Sequence, residues 1–124
     1  GFGIMGGLNQ AQAHVQFVSN VVDHGMNIQA ALEAPRFTRL SWSGCEVLME
    51  SRVAPAVRDE LTRKGHIINV VGEFSSAVGG GQAVMRNVRT GINYAASSPR
   101  KDGAAIPEPH PYNSPASGSA KQKR

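Results

Sequence analysis

Cysteine, aromatic residues and long apolar runs are all scarce in this chain of 124 residues. The single cysteine, Cys45, excludes an internal disulfide framework. It also excludes a zinc site built from thiolates of this chain alone, because such a site needs several ligands. Cys45 sits beside an alternating, strand-like run and reads as a structural rather than a reactive thiol. The aromatics are one Trp, two Tyr and four Phe, seven in all, and they are scattered. A nucleic-acid footprint needs a clustered basic face with aromatics for stacking, so nucleic acid is not an expected partner. The longest apolar runs fall far short of the roughly 18 residues that a membrane span requires, so no span is expected. Gly1-Phe2-Gly3 lacks the charged and apolar regions of a secretory leader, and the compartment is not legible. The chain reads as an excised piece or a processed product.

What is present suffices for one domain with a modest core, since 40 % of the residues are hydrophobic. The net charge is +4, of which Lys121, Lys123 and Arg124 against Glu108 contribute +2 (three cations less one anion). From Ile106 onward the composition turns to Pro, Ser and Ala with little to bury. Residues 1–106 therefore read as the folded part and 107–124 as a mobile basic tail.

Hydrophobic spacing predicts a helix over about Asn9–Asp23. Ala11, Val15, Val18 and Val22 form its inward stripe, widened by Phe17 and Val21, with Asn9 as N-cap and Gly25 as stop. A shorter helix over Asn27–Ala34 would be capped by Asn27, bury Ile28, Ala31 and Leu32, and end at Pro35. Glu46–Ser51 reads as a strand. Ala54–Lys64 reads as a helix with Pro55 in its first turn and Ala54, Val57 and Leu61 inward. His66–Val71 is a β-branched strand, and Gly72–Gly81 a flexible connection. Gln82–Asn87 and Gly91–Ala96 are two strands joined by a hairpin turn. Gly1–Gly7, with four glycines, reads as a turn rather than a regular element. The order implies an α/β fold: helices packed on a small, mostly antiparallel sheet. The first two helices carry more apolar surface than such a sheet covers, so a missing partner segment is expected.

Gly6-Gly7 directly before a helix is a candidate site. Two successive N–H groups at a helix N-terminus can face a developing oxyanion, although a flexible loop is the simpler reading of a glycine pair alone. Gly79-Gly80-Gly81 fails as a phosphate loop, because no Lys-Ser/Thr follows it. His14 and His24 lack metal-ligand spacing, so His14 reads as a packed residue and His66 as a strand start; no metal or other cofactor is expected. Glu46 and Glu50 read as a solvated face rather than an acid–base pair. Arg36 and Arg39 could hold an anion, but a salt bridge to Glu33 or to a missing segment is the simpler expectation.

The joint occurrence of several motifs carries more. Gly6-Gly7 precedes a helix, then Asp23, Gly25, Met26, Asn27, Ala31, Ala34, Pro35 and Arg36 follow. Gly65-His66 comes next, and later Gly91 to Ala96, Ser98-Pro99-Arg100 and Gly103-Ala104-Ala105. Over residues 4–105 this resembles the late part of the small subunit of γ-glutamyltransferases, which are N-terminal-nucleophile (Ntn) hydrolases. Ser98 and Ala95 depart from the usual Asp and Gly. The run Gln10–Gln16 resembles the cephalosporin-acylase-like branch more than the glutathione-specific one.

The resemblance implies a partial αββα sandwich, with Gly6 and Gly7 as the oxyanion hole and Asp23, Met26, Pro35 and Arg36 as structural. It further implies γ-glutamyl amide hydrolysis or transfer through an acyl-enzyme on an N-terminal Thr. This chain begins with Gly1, and Thr38, Thr62 and Thr90 are internal. The isolated chain is therefore expected to be inactive and to need the upstream part of the same enzyme as its partner. Three origins fit: a piece of a working enzyme, a non-catalytic interaction module using the apolar helix face, or a sequence cut short on its N-terminal side.

Overall fold

In a computed structural model, which describes residues 1–107, two three-stranded sheets and three α-helices build an α/β architecture. The elements are β1 (Phe2–Ile4), α1 (Asn9–Val22), α2 (Ile28–Glu33), β2 (Phe37–Thr38), β3 (Glu46–Glu50), α3 (Pro55–Arg63), β4 (Ile67–Val71), β5 (Gly81–Arg86) and β6 (Asn93–Ser97). A short 3-10 turn, Ser76–Val78, precedes β5. No helix among the described residues is long and apolar enough to cross a membrane. The predicted tail lies, from residue 108, outside the described residues.

The first sheet has the order β1-β5-β6 and is wholly antiparallel. Its β5–β6 pair is the predicted hairpin. Asn87 Oδ1 accepts hydrogen bonds from the amides of Arg89 and Thr90, and Gly91 closes the turn at φ 72°. β1 corrects the expectation of an irregular start: Phe2, Gly3 and Ile4 pair with Ala83, Gln82 and Gly81. Pairing to β5 outweighs the glycine content, and alternation turns Phe2 and Ile4 toward α1, where the Phe2 ring lies 4.6 Å from Phe17.

The second sheet, β2-β3-β4, is mixed, and across the two sheets the pairing is mostly antiparallel, as expected. β2 and β3 are antiparallel, but β3 and β4 run parallel. Parallel neighbours need a crossover rather than a tight turn, and α3 supplies it.

The core lies between the first sheet and helices α1 and α2. It consists of Ile4, Ala13, Phe17, Ile28, Ala31, Leu32, Ala83 and Ala96. α2 follows its sequence reading: Asn27 Oδ1 accepts from the Ala30 amide at 2.9 Å, and Ile28, Ala31 and Leu32 are buried. α1 does not. Its buried face is Asn9, Ala13 and Phe17, while Val15, Val18 and Val22 are exposed. The helix carries two apolar rows, Ala13 with Phe17 and Ala11 with Val15, Val18 and Val22, and the described residues bury the first. Asn9 also corrects the predicted cap, being the first helical residue with a buried side chain; Leu8 occupies the cap position without a capping bond.

α3 keeps Pro55 in its first turn but fully buries no residue: of the predicted inward face, Ala54 and Val57 are exposed and Leu61 is partly buried. The expected flexible connection Gly72–Gly81 is ordered around the fully buried Val78. Gly81 is glycine because of close approach: a Cβ there would lie 2.7 Å from Ile4 Cγ1 and 3.0 Å from Leu32 Cδ2. Leu32 is fully buried at the meeting of α2 and this sheet. Leu32→Ala should therefore lower unfolding stability by about 2–5 kcal/mol in chemical denaturation of the protein that carries this chain.

Candidate functional site

Gly6 and Gly7 join the end of β1 to the start of α1. Their carbonyls accept from the Asn9 and Gln10 amides at 3.1 and 3.0 Å, which starts the helix. Their own N–H groups find no acceptor among the described residues, and both glycines are exposed. Gly6 has φ 142° and Gly7 φ 58°, in the half of conformational space that side chains disfavour. A Cβ on Gly6 would also lie 3.1 Å from Asn9 Nδ2. The site is thus two unpartnered donors at the positive end of a 14-residue helix dipole, the arrangement that stabilises an anion.

A second glycine segment backs this turn. The Met5 amide donates to Gly80 O at 3.1 Å. Gly79 has φ 78°, and a Cβ on it would come within 2.2 Å of Met5 O and 2.8 Å of Asn9 Nδ2. Only glycine permits that contact. The Asn9 carboxamide, packed beneath both glycines, has neither polar atom hydrogen-bonded among the described residues.

Behind Gly79 lies a buried charge cluster. The Glu50 carboxylate, at the end of β3, is fully buried and accepts four hydrogen bonds. Oε1 takes Ser75 N–H (2.9 Å) and Arg100 Nε–H (2.7 Å). Oε2 takes the Arg36 backbone amide (3.0 Å) and Arg100 Nη2–H (2.5 Å). Arg100 donates further to the carbonyls of Leu32 and Ala34 and to Ser98 Oγ. Arg52 approaches Glu50 Oε2 at 3.5 Å from the cluster's wetter side and stacks 3.8 Å above the Phe74 ring. The Arg36 guanidinium donates to Gly79 O and Leu32 O, both at 2.9 Å. Its pKa is lowered from the usual guanidinium range to about 10, first by burial and next by Arg100, with Glu50 opposing; it stays cationic at neutral pH.

The sequence-predicted residues fall out unevenly. Gly6 and Gly7 form the turn between β1 and α1. His14 is packed: its Nε2 accepts the Ile4 amide at 3.0 Å and its ring meets Phe2 edge-on. His24 is exposed and His66 precedes β4. No group of three metal-binding side chains occurs among the described residues. Glu46 is solvated as read, but Glu50 is not; it is the acceptor at the centre of the cluster. Neither Arg36 nor Arg39 pairs with Glu33: Arg36 turns to carbonyls, and Arg39 donates to Gly44 O. Cys45 is exposed rather than packed. The partnership of Glu50 with Arg100 was missed; an acidic residue closing an apolar strand was its only signal.

The family model described as gamma-glutamyltranspeptidase matches residues 1–108. The chain is 32 % identical over 107 residues to an oxamate amidohydrolase proenzyme of Klebsiella pneumoniae, covering 84 % of this chain and 20 % of that protein. It is 29 % identical over 108 residues to the glutathione hydrolase-like YwrD proenzyme of Bacillus subtilis, covering 85 % and 20 %. Among solved structures, cephalosporin acylase from Bacillus halodurans superposes with a TM-score of 0.78 at 40 % identity, covering 88 % of this chain and 20 % of that one. The chain thus spans about a fifth of the length of the curated relatives it matches.

Removing the Glu50 charge would strand Arg100 in the interior without a counter-ion. Glu50→Gln is expected to cost about 3–5 kcal/mol, read as a lowered denaturation midpoint with unchanged slope.

Proposed function

The chain belongs to the gamma-glutamyltranspeptidase family, and from that premise we propose that it forms the oxyanion-stabilising corner of an amide-cleaving Ntn hydrolase. In this reading the Gly6 and Gly7 N–H groups receive the carbonyl oxygen of a γ-glutamyl or related acyl amide. A nucleophile supplied from outside residues 1–124, an N-terminal Thr, adds to the carbonyl carbon while its α-amine takes the hydroxyl proton. The negative charge gathers on the oxygen facing Gly6 and Gly7. Collapse breaks the C–N bond, the proton passes to the leaving amine, and an acyl ester remains. Water, or an acceptor amine in the transfer reaction, then releases the acyl group.

One observation carries this reading: the two N–H groups are fixed by an obligatory glycine conformation, exposed, and unspent on acceptors among the described residues. Donors set before the reaction need no reorganisation as charge develops. The names of the three relatives, an amidohydrolase, a glutathione hydrolase-like protein and an acylase, agree with acyl transfer from nitrogen as the reaction class.

The partner proposed for the bare face of α1 is the rest of the same enzyme. Leu8, Val15, Val18 and Val22 are exposed there, and a stripe of that kind is ordinarily covered. A catalytically dead module that docks another protein through the same stripe is the second reading. It requires that the protein carrying this chain show no amide turnover.

A backbone substitution tests the site directly. Replacing Gly7 by glycolic acid turns one amide into an ester and deletes that N–H alone. In the protein that carries this chain, kcat for amide hydrolysis should fall about 10²–10³-fold with KM nearly constant. An unchanged kcat would remove Gly7 from the oxyanion hole.

A further inference from the structure

Arg36 is a buried cation without a carboxylate of its own. Among the described residues the Glu50 carboxylate forms its ion pairs with Arg100 and Arg52, while the Arg36 side chain donates only to the carbonyls of Gly79 and Leu32. Arg36 is 2 % exposed, so the dry part of the cluster holds two arginines and one carboxylate, which pairs with Arg100. Burying a cation without a salt-bridge partner is unfavourable, so the hydrogen bonds that hold it must be well made.

Its placement is specific. The guanidinium holds Gly79 O, Gly79 is wedged against Met5 O and the Asn9 side chain, and Gly80 O receives the Met5 amide. Met5 is the residue before Gly6. A single line of contacts therefore runs from the Arg36 cation through Gly79-Gly80 to the turn that presents the Gly6 and Gly7 amides.

We propose that Arg36 is a positioning residue for the oxyanion turn, fixing Gly6 and Gly7 through Gly79 and placing a positive charge behind the two donors. The proposal rests on the reading of Gly6 and Gly7 as the oxyanion hole. The charge withdraws electron density from the Gly79 carbonyl and, in a low-dielectric surrounding, favours negative charge developing on the far side of the turn. Geometry matters equally. A turn that shifts by a fraction of an ångström no longer meets the tetrahedral intermediate, although it can still admit the planar substrate.

The test is a kcat against KM comparison in the protein that carries this chain, with kcat normalised to titrated active sites so that unfolded or unmatured molecules do not count. Arg36→Gln, which removes the charge, should lower kcat by about tenfold or more while KM moves less than about twofold, the pattern of an interaction made only in the transition state. Arg36→Lys, which keeps the charge but not both carbonyl contacts, should recover part of the loss. Where Arg36→Gln does not fold, the Lys variant decides by the same split: reduced kcat at constant KM supports the proposal, and wild-type kcat overturns it.

Wild-type kcat per titrated site in folded Arg36→Gln also overturns it, because a purely structural arginine would lower only the number of sites. The Gly7 ester separates the two levels. If the ester lowers kcat and the Arg36 variants do not, the positioning role fails and the oxyanion reading stands. If the ester is without effect, the oxyanion reading fails and the positioning role falls with it.

Discussion

The Glu50 carboxylate is the group on which the arrangement of this chain depends. It sits at the end of β3 in one sheet, and Arg100, which closes both its oxygens, follows β6 in the other. It also fixes the Arg36 amide before β2 and the Ser75 amide before the 3-10 turn. Three segments distant in sequence thus converge on the two oxygens at the end of β3. An ion removed from water is tolerated only when every lone pair is used, so the position of each segment is narrowly defined. Such a cluster adds little net stability compared with apolar packing. What it supplies is geometry, because no shifted arrangement satisfies the same carboxylate.

That geometry is transmitted to the site. The Arg36 backbone is held by Glu50 and its side chain holds Gly79; Gly79 presses on Met5; Met5 leads into Gly6 and Gly7. The positive-φ glycine conformations are supported by the cluster on one side and by α1 on the other. Among the described residues the two amides have no acceptor, because the chain around them satisfies its own hydrogen bonds elsewhere: Met5 with Gly80, and the first helical amides with the Gly6 and Gly7 carbonyls.

The surface shows the complementary feature. α1 buries Ala13 and Phe17 against β1 and α2 and leaves a second apolar row in solvent. A helix with two apolar faces belongs between two layers, and the described residues supply one of them. This accords with a chain that spans a fifth of its relatives' length.

The sequence by itself determined the local and the periodic. Asn27 as a cap, Pro35 as a stop, the Asn87–Gly91 hairpin and the apolar face of α2 follow from side-chain chemistry within a few residues, so they were legible without the fold. The family was legible too, because its motifs occur in fixed order along the chain, with Gly6-Gly7 among them. Tertiary structure alone decided which face of α1 turns inward, that Phe2–Ile4 is a strand, that β3 and β4 run parallel, and that Glu50 meets Arg100. Each of these is a choice between partners of similar local propensity, made by groups tens of residues apart. α1 is apolar on both sides, so periodicity could not choose between them; contact with Phe2 and Leu32 did. An acidic residue at a strand end is solvated by default, and only the convergence of Arg36, Ser75 and Arg100 makes its burial favourable.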